Sequence, residues 1–123
     1  MAKKFLPTRQ NGKEKEILAI LNNVCPGIFK FTGNGKVSVG GYDPDFISDT
    51  KNLIIEFLGC YWHNCVPCGY GSKNAQAKEN QDLKIRAAMY GANGYKSLFI
   101  WEHELSSERK LVERIRSFVY GKL

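Results

Sequence analysis

The sequence has no apolar run approaching the roughly 20 residues that a membrane helix requires, which excludes a helical membrane span. Its first residues, Met1-Ala2-Lys3-Lys4-Phe5, carry lysines but no following apolar segment. No secretory signal is therefore expected, and a cytoplasmic protein is. Internal repeats and low-complexity segments are also lacking, which excludes solenoids and arrays. With 123 residues there is room for one core and little else. The expected organisation is a flexible basic tail over 1–9 and one folded domain over 10–123. Cysteine is sparse, four in all, and in a reducing compartment Cys25, Cys60, Cys65 and Cys68 should not form disulfides.

What is present is positive charge, +6 net with a pI near 9.2. That balance fits a polyanionic partner such as nucleic acid, and it also fits an ordinary basic surface. Composition does not choose between the two readings.

Hydrophobic periodicity gives the framework. Ile17, Leu18, Ile20 and Leu21 repeat at helical spacing between about Gly12 and Asn23, with Glu14 near the start and Pro26-Gly27 as the stop. Ile28–Thr32 and Lys36–Gly40 alternate about Gly33-Asn34-Gly35, which reads as a hairpin. Asp45-Phe46-Ile47 is a short strand. Leu53–Leu58 is nearly continuous in its apolar character, as expected of a central strand covered on both faces. A helix over about Ala75–Tyr90, with Ile85, Ala88 and Met89 on one face and Leu83 beside it, is followed by a strand over Tyr95–Trp101. A last helix runs over Ser106–Tyr120, its inner face Leu111, Ile115 and Phe118. The order α-β-β-β-β-α-β-α predicts an α/β fold, a mixed sheet flanked by helices.

The chemistry concentrates around the central strand. Glu56 interrupts Leu53-Ile54-Ile55-Glu56-Phe57-Leu58, where an unpaired carboxylate is costly to bury. Asp45, in Pro44-Asp45-Phe46, precedes the neighbouring strand. Two carboxylates on adjacent strands form a hard oxygen site suited to Mg²⁺, or Mn²⁺, and to phosphodiester chemistry. His63 follows the strand. It has the pKa range of a general base, yet its place between Cys60 and Cys65 also suits a zinc ligand. Cys60, Cys65 and Cys68 crowd into one loop, which favours a metal over bridges.

Taken together, Pro44-Asp45-Phe46, Ile55-Glu56-Phe57-Leu58-Gly59-Cys60-Tyr61-Trp62-His63, Asp82 with Lys84, Gly94-Tyr95 and Leu98-Phe99-Ile100-Trp101-Glu102 resemble the very-short-patch (Vsr-like) mismatch repair endonucleases and related phage-type homing endonucleases. Both groups have the restriction-endonuclease-like fold of the PD-(D/E)XK superfamily. The resemblance implies a metal-dependent DNA endonuclease in a prokaryotic or phage-type setting. It implies Asp45 as principal Mg²⁺ ligand with Glu56, and His63 as general base or water orienter. Glu14, with Glu16 as the alternative, supplies the first-helix acid, and Asp82 positions water, metal or the histidine. It also implies a structural Zn²⁺ on Cys60, Cys65, Cys68 and His103, with Cys25 as the rival fourth ligand. Tyr61 and Trp62 become candidates to contact the DNA stack, Trp62 alternatively capping the core. Lys73, Lys78, Lys84 and Arg86 become candidate phosphate contacts, or else solvated surface charges. A short chain of this kind is expected to have modest specificity, or to take its specificity from a partner protein or a further domain. Two departures stand out. Leu58 occupies the place of the restriction-enzyme lysine, and Glu56 replaces an apolar residue of the repair enzymes, nearer the homing-endonuclease form.

Overall fold

In a computed structural model, residues 12–121 are described. The expected basic tail, 1–9, lies outside the described residues. Helix α1 (Gly12–Val24) is followed by strands β1 (Lys30–Phe31), β2 (Phe46–Ser48) and β3 (Leu53–Leu58). Helix α2 (Lys73–Ala92), strand β4 (Lys96–Trp101) and helix α3 (Glu108–Tyr120) complete the chain. The strands form one sheet in the order β1-β2-β3-β4. The first two pairings are antiparallel, and β3 pairs with β4 in parallel, with Glu56 opposite Phe99. The mixed α/β class predicted from the sequence is the one observed.

Both faces of the sheet are covered, as the apolar run of the central strand implies. Leu53 and Ile55 of β3 face Ile17 and Leu21 of α1 and Leu111 and Ile115 of α3. Ile54 points the other way, to Ile47, Val39 and Tyr90 of α2. This two-residue alternation is what aims Glu56, two positions after Ile54, at α2.

Three local expectations need correction. Lys36–Gly40 is not a strand; only an isolated Val39–Tyr42 bridge forms there. Gly40 and Gly41 both take positive φ, +60° and +89°, and turn the chain at once. A Cβ on Gly40 would meet Met89 at 3.1 Å, so the glycine lets this loop close onto α2. Helix α2 starts earlier than Ala75, because the Ser72 hydroxyl accepts from the Ala75 amide at 3.1 Å and caps the helix at Lys73. Its inner face is also not the expected one: Leu83 and Tyr90 are buried, whereas Ile85 and Met89 are 50% and 40% exposed. The inward face carries Glu79, Leu83, Arg86 and Tyr90 at helical spacing, so its mixed polarity hid it from a purely apolar pattern.

Candidate functional site

Two clusters of different chemistry flank the exit of β3. The first is built on oxygen. Asp45, just ahead of β2, accepts a hydrogen bond from the Phe57 amide at 2.8 Å, so the β2–β3 pairing places its carboxylate beside that of Glu56. Gly33 permits this approach: a Cβ there would lie 3.3 Å from Asp45 Oδ1 and 2.7 Å from the Phe31 ring. Burial, then the negative charge of Glu56 and a smaller contribution from Glu14, push the Asp45 carboxyl up to about 8. Glu14 of α1 thus belongs to the neighbourhood of this pair. Glu16 instead faces solvent, 3.6 Å from Lys13.

Glu56 is only 3% exposed, and its burial is matched by partners. Arg86 donates to Glu56 Oε2 from 3.2 Å, and the Tyr90 hydroxyl donates to the same oxygen. The Arg86 guanidinium also lies 4.8 Å over the Tyr42 ring, and Tyr42 packs edge-on against Tyr90 at 5.9 Å. Arg86 Nε is buried without a hydrogen-bond partner among the described residues. Burial and the bond to Glu56 raise the Tyr90 hydroxyl far above its ordinary range, which keeps it a donor at all working pH. Arg86, anticipated as a phosphate contact, therefore sits against Glu56. Lys73, Lys78 and Lys84 are exposed along α2.

His63 lies beyond Gly59, whose carbonyl accepts from the His63 amide at 3.0 Å. Its Nδ1 is 2.8 Å from Glu79 Oε2 on α2. A carboxylate only accepts, so Nδ1 carries the hydrogen and Nε2 is the nitrogen left to bind a proton. Glu79 was not picked out from the sequence. Its signal was available in principle: it lies one turn before Leu83 on the buried stripe of α2. Asp82, on the neighbouring helical position, is exposed and makes no hydrogen bond or ion pair with the described residues.

The second cluster is built on sulfur. The loop after β3 folds back through bonds from Cys65 N to Cys60 O (3.0 Å) and from Cys68 N to Cys65 O (3.2 Å), with Asn64 at φ +57°. His103, just past β4, meets it. Its Nδ1 lies 3.3 Å from Cys60 Sγ, 3.5 Å from Cys65 Sγ and 3.4 Å from Cys68 Sγ. One ring nitrogen makes one hydrogen bond and cannot serve three thiols. All four ligand atoms lie within 4.8 Å of one another. A tetrahedral zinc with about 2.3 Å bonds to sulfur and about 2.05 Å to nitrogen places S and N about 3.5 Å apart. The donor set and its spacing therefore fit Zn²⁺. Without a cation, burial pushes the Cys60 thiol up to about 12, and a bound metal reverses that by stabilising thiolate. The Cys60 amide also donates to Glu102 at 3.2 Å, and His103 stacks on Trp101. Cys25 is buried in the core between α1, α3 and the sheet and has no place in this cluster. His63 has none either.

Between the two clusters the chain exposes aromatics. Trp62 is 79% exposed and Tyr61 61%, so Trp62 does not cap the core. Tyr61 packs edge-on against Trp62 at 5.0 Å and against Tyr70 at 5.4 Å.

No protein-family model matches the chain. A curated relative, the type II nicking enzyme V.XorIIP of Xanthomonas oryzae pv. oryzae, is 26% identical over 115 residues, covering 86% of this chain and 80% of the relative. Among solved structures, the catalytic domain of the homing endonuclease I-Bth0305I superimposes with a TM-score of 0.60 at 25% identity. That match covers 89% of this chain and 94% of the domain. Both similar proteins are endonucleases. Among the described residues, no helix is long and apolar enough to cross a membrane.

Proposed function

We propose that the protein is a metal-dependent DNA endonuclease of the Vsr-like and homing-endonuclease group within the PD-(D/E)XK superfamily, hydrolysing a phosphodiester bond. The observation that carries this reading is the buried Asp45–Glu56 pair, with the His63–Glu79 pair anchored about two turns along α2 from the Arg86 that binds Glu56. Two buried carboxyl groups this close resist being ionised together unless a cation joins them, and a basic chain suits a polyanionic substrate.

Asp45 and Glu56 would hold Mg²⁺ or Mn²⁺. When bound, the cation supplies charge neutralisation at the phosphate and lowers the pKa of water. The chain's own residues then divide the remaining work. Asp45 gives up the proton it holds in the free protein. Arg86 and Tyr90 keep the Glu56 carboxylate in one orientation. His63, its ring fixed through Nδ1 by Glu79, takes the proton from attacking water at Nε2. Glu14 adds negative charge beside Asp45. Asp82 would act from the exposed side of α2, toward a bound substrate. Cys60, Cys65, Cys68 and His103 would hold a structural Zn²⁺ that ties the loop carrying Tyr61, Trp62 and His63 to the end of β4. Tyr61 and Trp62 would meet the DNA stack, and Lys73, Lys78 and Lys84 the phosphates. Arg86 would reach a phosphate only by leaving Glu56. The domain itself is assigned modest specificity, with any further target choice supplied by a partner protein or a further domain, in a cytoplasmic setting.

The test is nicking or linearisation of supercoiled plasmid in Mg²⁺ or Mn²⁺. Activity is expected for the wild type and a loss of at least about a hundredfold for Asp45→Ala and for His63→Ala. Activity surviving in the double variant would falsify the assignment. DNA binding without cleavage under any divalent cation would point instead to a zinc-stabilised binding module. Cleavage confined to RNA or branched DNA would reassign the substrate.

A further inference from the structure

A cavity of about 500 Å³ is walled by the Cys65–Pro67 turn, the first two turns of α2, Trp101 and His103. That volume is in the range of small-ligand sites. Of the residues given roles above, Cys65, His103 and Lys73 line it, whereas Asp45, Glu56, His63 and Glu79 do not. The His63 ring meets Trp101 edge-on at 6.3 Å, so the cavity is one aromatic ring away from the proposed general base.

The polar edge of the cavity has a fixed direction. The Val66 amide donates to Gln76 Oε1 at 2.8 Å, which identifies that atom as the oxygen. Gln76 Nε2 therefore faces Asn80, and it donates to Asn80 Oδ1 at 3.3 Å. Asn80 Nδ2 is left with both hydrogens and no partner among the described residues. Gln76 keeps one further N–H. Lys73, also lining the cavity, has no ion pair with the described residues. The cavity thus offers an aromatic wall, amide N–H donors on Asn80 and Gln76 whose own oxygens are each already bonded once, and one ammonium.

We propose that this cavity binds a single unstacked nucleobase of the substrate through an acceptor edge, with Asn80 as the specificity-determining residue and Lys73 on the adjoining phosphate. The inference rests on the endonuclease reading and extends it to substrate choice. A stacking surface with hydrogen-bond donors is how proteins hold splayed bases. On the major-groove edge, donors favour guanine (N7, O6) and thymine (O4), because adenine N6 and cytosine N4 present amino hydrogens there that would oppose them.

Titration of the zinc-loaded full chain with dGMP, dTMP, dAMP and dCMP tests this, read by amide and indole NMR, with ribose 5-phosphate as the base-free control. Saturable shifts are expected at the Trp101 indole and the Asn80 side-chain amide. Binding should be about fivefold tighter for dGMP and dTMP, the size of one net hydrogen bond. Asn80→Ala should abolish that preference, so that the four nucleotides bind about equally, at an unchanged melting midpoint. Equal binding of all four nucleotides, shifts matched by ribose 5-phosphate, or no shift at Trp101 in a chain that nicks plasmid would overturn the pocket and leave the endonuclease reading standing. Nucleotide binding in a chain that cuts no nucleic acid would overturn both the endonuclease reading and the pocket's role in it.

Discussion

Replacing Asp45 by Asn should stabilise the metal-free protein at alkaline pH while destroying its response to magnesium. The carboxyl is pushed from near 3.8 to about 8 by burial and by the charge of Glu56. Its folded-state pKa is raised, so the native state holds a proton that the unfolded chain releases. Below pH 3.8 both states are protonated and the residue contributes no difference. Between 3.8 and about 8 the native state loses relative stability at about 1.4 kcal/mol per pH unit. Above 8 the full cost is expressed, with a ceiling of about 6 kcal/mol. Asn keeps the acceptor for the Phe57 amide and can donate to Glu56, but has no proton to lose. Recovering only a third of the ceiling, about 2 kcal/mol, raises the melting midpoint by roughly 8 °C for a domain of this size. The assay is thermal unfolding at pH 5 and pH 9 in magnesium-free buffer without chelator, which leaves the zinc site loaded. The variant should gain on the wild type between the two pH values. Millimolar Mg²⁺ should raise the midpoint of the wild type and not of the variant. A variant that gains nothing on the wild type at pH 9, or that Mg²⁺ stabilises equally, refutes the carboxylate-pair argument.

Cys65→Ser should reduce bound zinc, by elemental analysis, from about one per chain to well below it and lower the melting midpoint sharply, since structural zinc contributes folding energy directly. Glu79→Gln should retain the fold and DNA affinity but lower the single-turnover rate by about tenfold or more, because the ring of His63 loses its charged anchor. An unchanged rate would remove Glu79 from the site. Combined Lys73→Ala, Lys78→Ala and Lys84→Ala substitution should weaken duplex binding without altering the melting midpoint. It should also flatten the slope of log affinity against log salt by up to about 3, measured by fluorescence anisotropy.

The legible parts of the fold and the site were those written in local pattern. Leu53–Leu58 announced a covered central strand because its apolar run has no polar face to offer water. The three loop cysteines announced a cluster able to ligate a metal because their spacing is a ligand spacing. Helix α2 was read less well. Its buried stripe is Glu79, Leu83, Arg86 and Tyr90, and polar residues buried through partners look the same in a sequence as polar residues facing solvent. That is why Ile85 and Met89 were expected inside and are exposed, and why Arg86 was expected at the surface and lies against Glu56. The hairpin arm at Lys36–Gly40 failed for a different reason: alternation in a segment this short does not determine whether a neighbouring strand is present to pair with it.

By itself, the sequence determined the class of fold, the existence of a carboxylate pair and the soft-metal character of the loop after the central strand. Each follows from residue type and short-range periodicity. Only the tertiary structure decided which groups share a site. Cys60 and His103 are 43 positions apart, Glu56 and Tyr90 are 34 apart, and His63 and Glu79 are 16 apart. Those pairings depend on the parallel alignment of β3 with β4 and on the face that α2 turns to the sheet. Both are settled by burying apolar area across the whole molecule, which no local segment encodes.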